Sequence, residues 1–230
     1  MDFAGWERLI DWAVLYGINA PYFSLGHSYL LHLAFDDLGI DDSDYWVSPD
    51  LSVWQDRGLI HSGSDINWAR VQFDLARRVM ARMLELDMSP ILHAFSGYVP
   101  HSIDTSFDVD IVRLEPWGSI SCSQSCNRWL VPTDKLYAGI MARYLHYQAL
   151  HFQYEATYYH VDVPSSLPSR LNTESELSKI SNSLYQSLPT DSVWVVIRDD
   201  VHDEITFNTI LNQRAKSEVL FLGMSVIIAE

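Results

Sequence analysis

The sequence predicts an α/β protein built on a parallel sheet. Apolar stripes at helical spacing recur along the chain, short apolar runs rich in β-branched residues alternate with them, and no linker or low-complexity stretch breaks the alternation. Each strand–helix–strand step returns the chain to the same edge of the sheet in the same direction, so neighbouring strands pair in parallel. That pattern fits a (β/α) barrel or an open doubly wound sheet. No Gly-x-Gly-x-x-Gly follows a strand, which argues against a dinucleotide site.

The elements follow in order. Trp6, Ile10, Ala13 and Val14 share one helical face, and Gly17 supplies a stop. Residues 18–25 then read as a buried strand. Leu75, Val79, Met83 and Leu86 form a second stripe that ends before Pro90, and residues 91–96 are the strand it feeds. A helix around Leu136, Ile140 and Tyr144 leads into a strand over 152–162. Thr173, three residues before Glu176, is a capping-box signal, with Leu177, Ile180 and Leu184 as the inward face behind it. The runs 193–197 and 219–228 read as the last strands. These strands are fewer than a closed barrel requires, so one domain over residues 1–230 is expected, either an open sheet or a barrel incomplete at both ends.

At 230 residues the chain can bury one substantial core, and 48% hydrophobic with 20% charged residues describes a globular protein rather than a disordered one. A formal net charge of −15 disfavours nucleic acid and anionic membrane surfaces as partners. No run approaches the length of a membrane-spanning helix. The start, Met1-Asp2-Phe3-Ala4-Gly5-Trp6, lacks the basic and apolar regions of a signal peptide, so the sequence taken literally reads as cytoplasmic. The scattered histidines lack the spacing of a helical metalloprotease site. No Gly-x-Ser-x-Gly elbow and no phosphate-binding loop occurs. Cys122 and Cys126, without a second matched pair, are a poor zinc set. No cofactor or metal is expected.

Several ordered motifs carry a specific likeness. They are Trp6-Glu7-Arg8-Leu9-Ile10-Asp11-Trp12 with Gly17-Ile18-Asn19; Trp54 and Gly58 to His61; and Met88-Ser89-Pro90-Ile91-Leu92-His93-Ala94-Phe95-Ser96-Gly97-Tyr98-Val99-Pro100. Trp117-Gly118, Cys122-Ser123-Gln124-Ser125-Cys126 and the turn Pro164-Ser165-Ser166-Leu167-Pro168-Ser169 complete the set. Together they resemble the α-N-acetylglucosaminidases, secreted or lysosomal glycosidases that trim terminal N-acetylglucosamine. The resemblance implies a (β/α) TIM-type barrel, a retaining mechanism and an N-acetylglucosamine-containing glycan as partner. A fragment of a longer protein would reconcile that setting with the missing signal peptide.

Counting back from the Pro164 turn, the general-acid Glu of the family falls on His160 and its Asn on Tyr159. The nucleophile of the family lies on a later strand, beyond residue 230. Imidazole can carry protons, so His160 is either a substitute acid or a hydrogen-bonded strand-end residue. Asp162, two residues on, shares a strand face with His160 and is either a displaced carboxyl or a turn cap. Glu155 is a weaker candidate. The resemblance also assigns Gly97 to the sugar cleft. His27 stands where the family has Gln beside the pocket, and His61 matches a family His; each is a sugar ligand or an ordinary hydrogen-bonded histidine. Trp117, in its Trp-Gly turn, is the best stacking candidate. The resemblance pairs Cys122 with Cys126 in a short-loop disulfide, the alternative being two buried thiols. The rival to a hydrolase is a pseudoenzyme or carbohydrate-binding remnant that keeps the pocket walls without the carboxyls.

Overall fold

The computed structural model describes residues 2–43, 66–115, 126–161, 163–164, 167–197 and 219–222. In chain order the elements are α1 (Phe3–Leu15), β1 (Tyr22–Phe23), α2 (His27–Asp37), α3 (Ile66–Glu85), β2 (Ile91–His93), β3 (Tyr98–Val99), α4 (Ile103–Ser106), β4 (Ile111–Arg113), β5 (Arg128–Leu130), α5 (Lys135–Phe152), β6 (Tyr158–His160), α6 (Glu174–Gln186), β7 (Val193–Ile197) and β8 (Val219–Leu222). One sheet runs β1-β2-β6-β7-β8, and each of its pairings is parallel. A second, antiparallel sheet of order β3-β5-β4 interrupts the path from β2 to α5.

Register assigns each strand residue to a face. Leu92 is aligned with Phe23 and Tyr159, and Tyr159 with Trp194, whereas His93 is aligned with His160 and His160 with Val195. Alternation therefore puts Phe23, Leu92, Tyr159 and Trp194 on one face, and Tyr22, Ile91, His93, His160 and Val195 on the other. The first set faces the helical layer: the Phe23 ring meets that of Phe152 on α5 edge-on, with centroids 5.7 Å apart. The second set forms the opposite, inner face of the sheet. Trp129, Trp194, Tyr137, Tyr144, Phe35 and Phe95 are the largest fully buried side chains of the core.

Local chemistry sets where each helix starts. Asp2 caps α1 by accepting from Gly5 N–H at 2.9 Å, and Thr173 caps α6 by accepting from Glu176 N–H at 3.3 Å. Asp134 accepts from Leu136 N–H at 2.8 Å and, through its second oxygen, from Asp110 N–H at 2.9 Å, so one carboxylate starts α5 and ties down the entry to β4. α1 leans on α3 through the Asp11–Arg82 ion pair at 2.7 Å and the Arg78 guanidinium over the Phe3 ring. Its outer face leaves Leu9, Trp12, Leu15 and Tyr16 exposed, with the Trp12 and Tyr16 rings 4.8 Å apart.

Three strands are shorter than the sequence suggests. Between α1 and β1, residues 18–21 run beside the sheet, with Ser89 N–H donating to Asn19 and Ile91 N–H to Pro21, but only Tyr22–Phe23 is strand. After His93, Ala94 N–H still bonds the His160 carbonyl. The Phe95 and Ser96 carbonyls are then taken by the Tyr137 hydroxyl and the Trp129 indole, which draw the chain out of the sheet. Phe152 is not strand: it is the last residue of α5, and Gln153 ends that helix in left-handed conformation. The apolar Phe152 side chain serves helix packing, meeting Phe23 and Phe73, so the strand begins only at Tyr158.

Candidate functional site

Parallel strands deliver their C-terminal ends to one side, and there three histidines meet. His93 ends β2 and His160 ends β6 directly beside it in register, with ring centroids 5.5 Å apart. His27 opens α2, where Gly26 at φ +84° turns the chain sharply; a Cβ on Gly26 would lie 2.9 Å from the Ala76 Cβ, so only glycine fits the approach of α2 to α3. The His27 ring sits 4.3 Å from that of His93. All three are buried.

Hydrogen bonds fix these rings from both flanks. The Tyr144 hydroxyl donates to the His93 carbonyl at 3.1 Å, and Gln148 Nε2 donates to the same carbonyl at 2.8 Å. With the single Tyr144 proton so placed, the 2.8 Å contact between His27 Nδ1 and the Tyr144 oxygen has His27 as donor. On the other flank, the Tyr22 hydroxyl and His160 Nδ1 share a 3.1 Å hydrogen bond, and Ser96 Oγ lies 3.4 Å from His93 Nε2. The gap behind His27, bounded by residues such as Phe23, His93, Gln148 and Phe152, holds about 150 Å³ with open solvent included, too little for a sugar pocket.

The expected site residues distribute unevenly. His160 and His27 come together through His93. Tyr159 does not join them: it points to the opposite face of β6 and is 4% exposed, and burial pushes its phenol pKa up, with nearby Glu155 and Tyr154 adding to the rise. Glu155 is exposed before the start of β6, at the opposite end from His160. Gly97 is buried at φ +93°, and a Cβ there would come within 2.6 Å of the Trp129 indole nitrogen, so its role in the described structure is to let that ring pass. Cys126 is 2% exposed and disulfide-bonded. His61, Trp117, Cys122 and Asp162 lie outside the described residues.

Sequence reasoning passed over Tyr22, His93, Tyr144 and Gln148. The available signals were a histidine inside the apolar 91–95 run and a Gln one turn after Tyr144 on an inward helical face, since a buried polar group requires partners. Among the described residues no group of three or more His, Cys, Asp or Glu side chains is arranged to hold a metal ion. The described residues at the C-terminal ends of β1, β2 and β6 include no carboxylate: Ser24 follows β1, Ala94 to Gly97 follow β2 and Val161 follows β6.

Comparison with known proteins places this arrangement. Residues 1–218 match the family described as the alpha-N-acetylglucosaminidase (NAGLU) tim-barrel domain. Human alpha-N-acetylglucosaminidase is 28% identical over 210 residues, covering 85% of this chain and 28% of the human protein. The family 89 glycoside hydrolase of Clostridium perfringens, solved in complex with 2-acetamido-1,2-dideoxynojirmycin, superposes with a TM-score of 0.79 at 18% identity over 96% of this chain and 26% of its own. A doubly substituted form of that hydrolase, in complex with its substrate GlcNAc-alpha-1,4-galactose, gives the same TM-score at 16% identity. The chain thus spans about a quarter of the length of these relatives, and its parallel sheet is a partial (β/α) barrel of their type. By sequence and by fold, it belongs to the α-N-acetylglucosaminidase TIM-barrel family.

Proposed function

We propose that this chain forms part of the wall of an N-acetylglucosamine-binding barrel and does not hydrolyse glycosides by itself. The observation that carries the reading is His160: a buried imidazole, hydrogen-bonded to Tyr22, at the strand end where the family motif aligns its general acid. A retaining glycosidase works through two carboxyl groups about 5–5.5 Å apart, one as nucleophile and one as acid and then base. Imidazole can replace the proton donor, but it cannot supply the carboxylate that forms the glycosyl intermediate. The glycan class named in the relatives, ending in N-acetylglucosamine, is the ligand assigned here. Asp162, His61, Trp117 and Gly97 remain proposed contributors to the site or its lining, and Tyr159 backs it from the helix-facing side of β6. A Cys122–Cys126 disulfide, a single domain over 1–230 and a secretory or lysosomal setting belong to the same proposal.

The test uses purified, folded 230-residue protein. Calorimetric titration with N-acetylglucosamine should show binding, while an aryl α-N-acetylglucosaminide should release no chromophore above background. General-acid catalysis alone is worth about 10²–10⁴-fold, so His160→Glu should not restore turnover, since the described residues at the ends of β1, β2 and β6 offer no second carboxylate to pair with it. Robust turnover that disappears in Asp162→Asn would show that the chain carries its own carboxyl machinery and would refute the proposal.

A further inference from the structure

We infer that Tyr22 is a sugar-binding residue: its ring is an aromatic platform for an N-acetylhexosamine, and its hydroxyl links that platform to His160. The inference rests on the reading of the site given above and extends it to a residue that no motif marks. On the inner face of the sheet, Ile91, His93 and His160 are between 1% and 4% exposed, whereas Tyr22, aligned with Ile91 in β1, is 41% exposed. The other Trp and Tyr rings that reach such exposure among the described residues, Trp12 and Tyr16, belong to α1 and its C-cap and pack against one another.

Tyr22 opens β1, in register with the first residue of β2, but its ring reaches up to His160 at the C-terminal end of β6, the side of the strands where barrel sites are built. The phenol offers an apolar face to the C–H side of a pyranose and keeps a polar tip for orientation. The ring is also held in place before any ligand arrives. It meets His160 edge-on at 5.1 Å and 86° and His93 at 6.4 Å and 70°, and its hydroxyl is tied to His160 Nδ1. Such preorganisation lowers the entropy lost when a ligand settles on it. A sugar seated on Tyr22 therefore perturbs the imidazole at the acid/base position through one hydrogen bond.

Three proteins decide the matter: wild type, Tyr22→Leu and Tyr22→Phe, each titrated with N-acetylglucosamine by calorimetry while the His160 ring resonances are followed by NMR. Tyr22→Leu removes the platform and should weaken binding about tenfold. Tyr22→Phe keeps the platform, so its affinity should stay within about twofold of wild type, but its His160 resonances should no longer respond to the sugar. Wild-type affinity in a folded Tyr22→Leu protein would overturn the platform. If that variant fails to fold, a His160 response in Tyr22→Phe as large as in wild type would still overturn the link. Failure of the wild-type protein itself to bind N-acetylglucosamine would instead refute the underlying reading of the site.

Discussion

Single residues here act mainly through what they exclude or hold. Gly97 combines a left-handed backbone with a neighbour too close for any side chain, since an added Cβ would sit 2.6 Å from the Trp129 nitrogen and 3.0 Å from the Leu130 carbonyl. Gly97→Ala should therefore cost more than the roughly 1 kcal/mol of an ordinary left-handed substitution and lower the urea midpoint clearly, with Gly39→Ala, whose Cβ would meet open space, as the comparison. His151, in the last turn of α5, packs edge-on against Phe73. Burial first, and the positive charge of Arg77 second, hold its pKa below the ordinary 6.5. The folded protein thus binds this proton less tightly than the unfolded chain. Its contribution to stability is complete above the unfolded value and is lost as pH falls through the lower, folded one. Denaturation midpoints measured downward from neutral pH should fall with a smaller slope in His151→Gln than in wild type. At this scale sequence and structure diverge most: His160 and His27 are legible from motif position and His93 from a polar residue inside an apolar run, but Tyr22 matters because of strand register, which no local pattern displays.

Among elements, α5 joins the two sheets and has a single carboxylate at its origin. Asp134 caps it and also receives the Asp110 amide that leads into β4. Asp134→Ala should destabilise by about 1–2 kcal/mol, and amide exchange should speed up both in the first turn of α5 and at Asp110; protection lost in α5 alone would show the second bond to be idle. Element type was largely readable. The stripes behind Trp6, Val79, Ile140 and Ile180 are helices, and the β-branched run Val193–Ile197 is a strand over its whole length. Boundaries were less so, for a physical reason: Phe152 is as apolar as a strand residue but is buried by helix packing, and Pro21 and Asn19 hydrogen-bond to the sheet without joining it. The sheet β3-β5-β4 left no usable trace, because strands of two or three residues are too short to show alternation. What holds them is tertiary: the Trp129 indole on the Ser96 carbonyl, and Arg128 paired with Asp104.

Over the whole molecule, acidic charge and apolar surface pull in opposite directions. The chain carries 30 Asp and Glu against 15 Lys and Arg, while the outer face of α1 presents Leu9, Trp12, Leu15 and Tyr16, of which Leu15 is 84% exposed. At low ionic strength, like charge keeps copies apart beyond the range of apolar contact; at about 1 M salt the screening length shrinks to roughly 3 Å and that barrier collapses. The protein should behave as a charge-stabilised colloid. Light scattering should report dispersed particles in dilute buffer and reversible clustering as salt is raised, accompanied by a blue shift in Trp12 emission. Replacing Trp12 and Leu15 with Ser should abolish the clustering without lowering the thermal midpoint, since neither side chain is buried in the core. The α1 surface then becomes a practical variable: the salt chosen for a sugar titration also sets how many particles are present to bind the sugar.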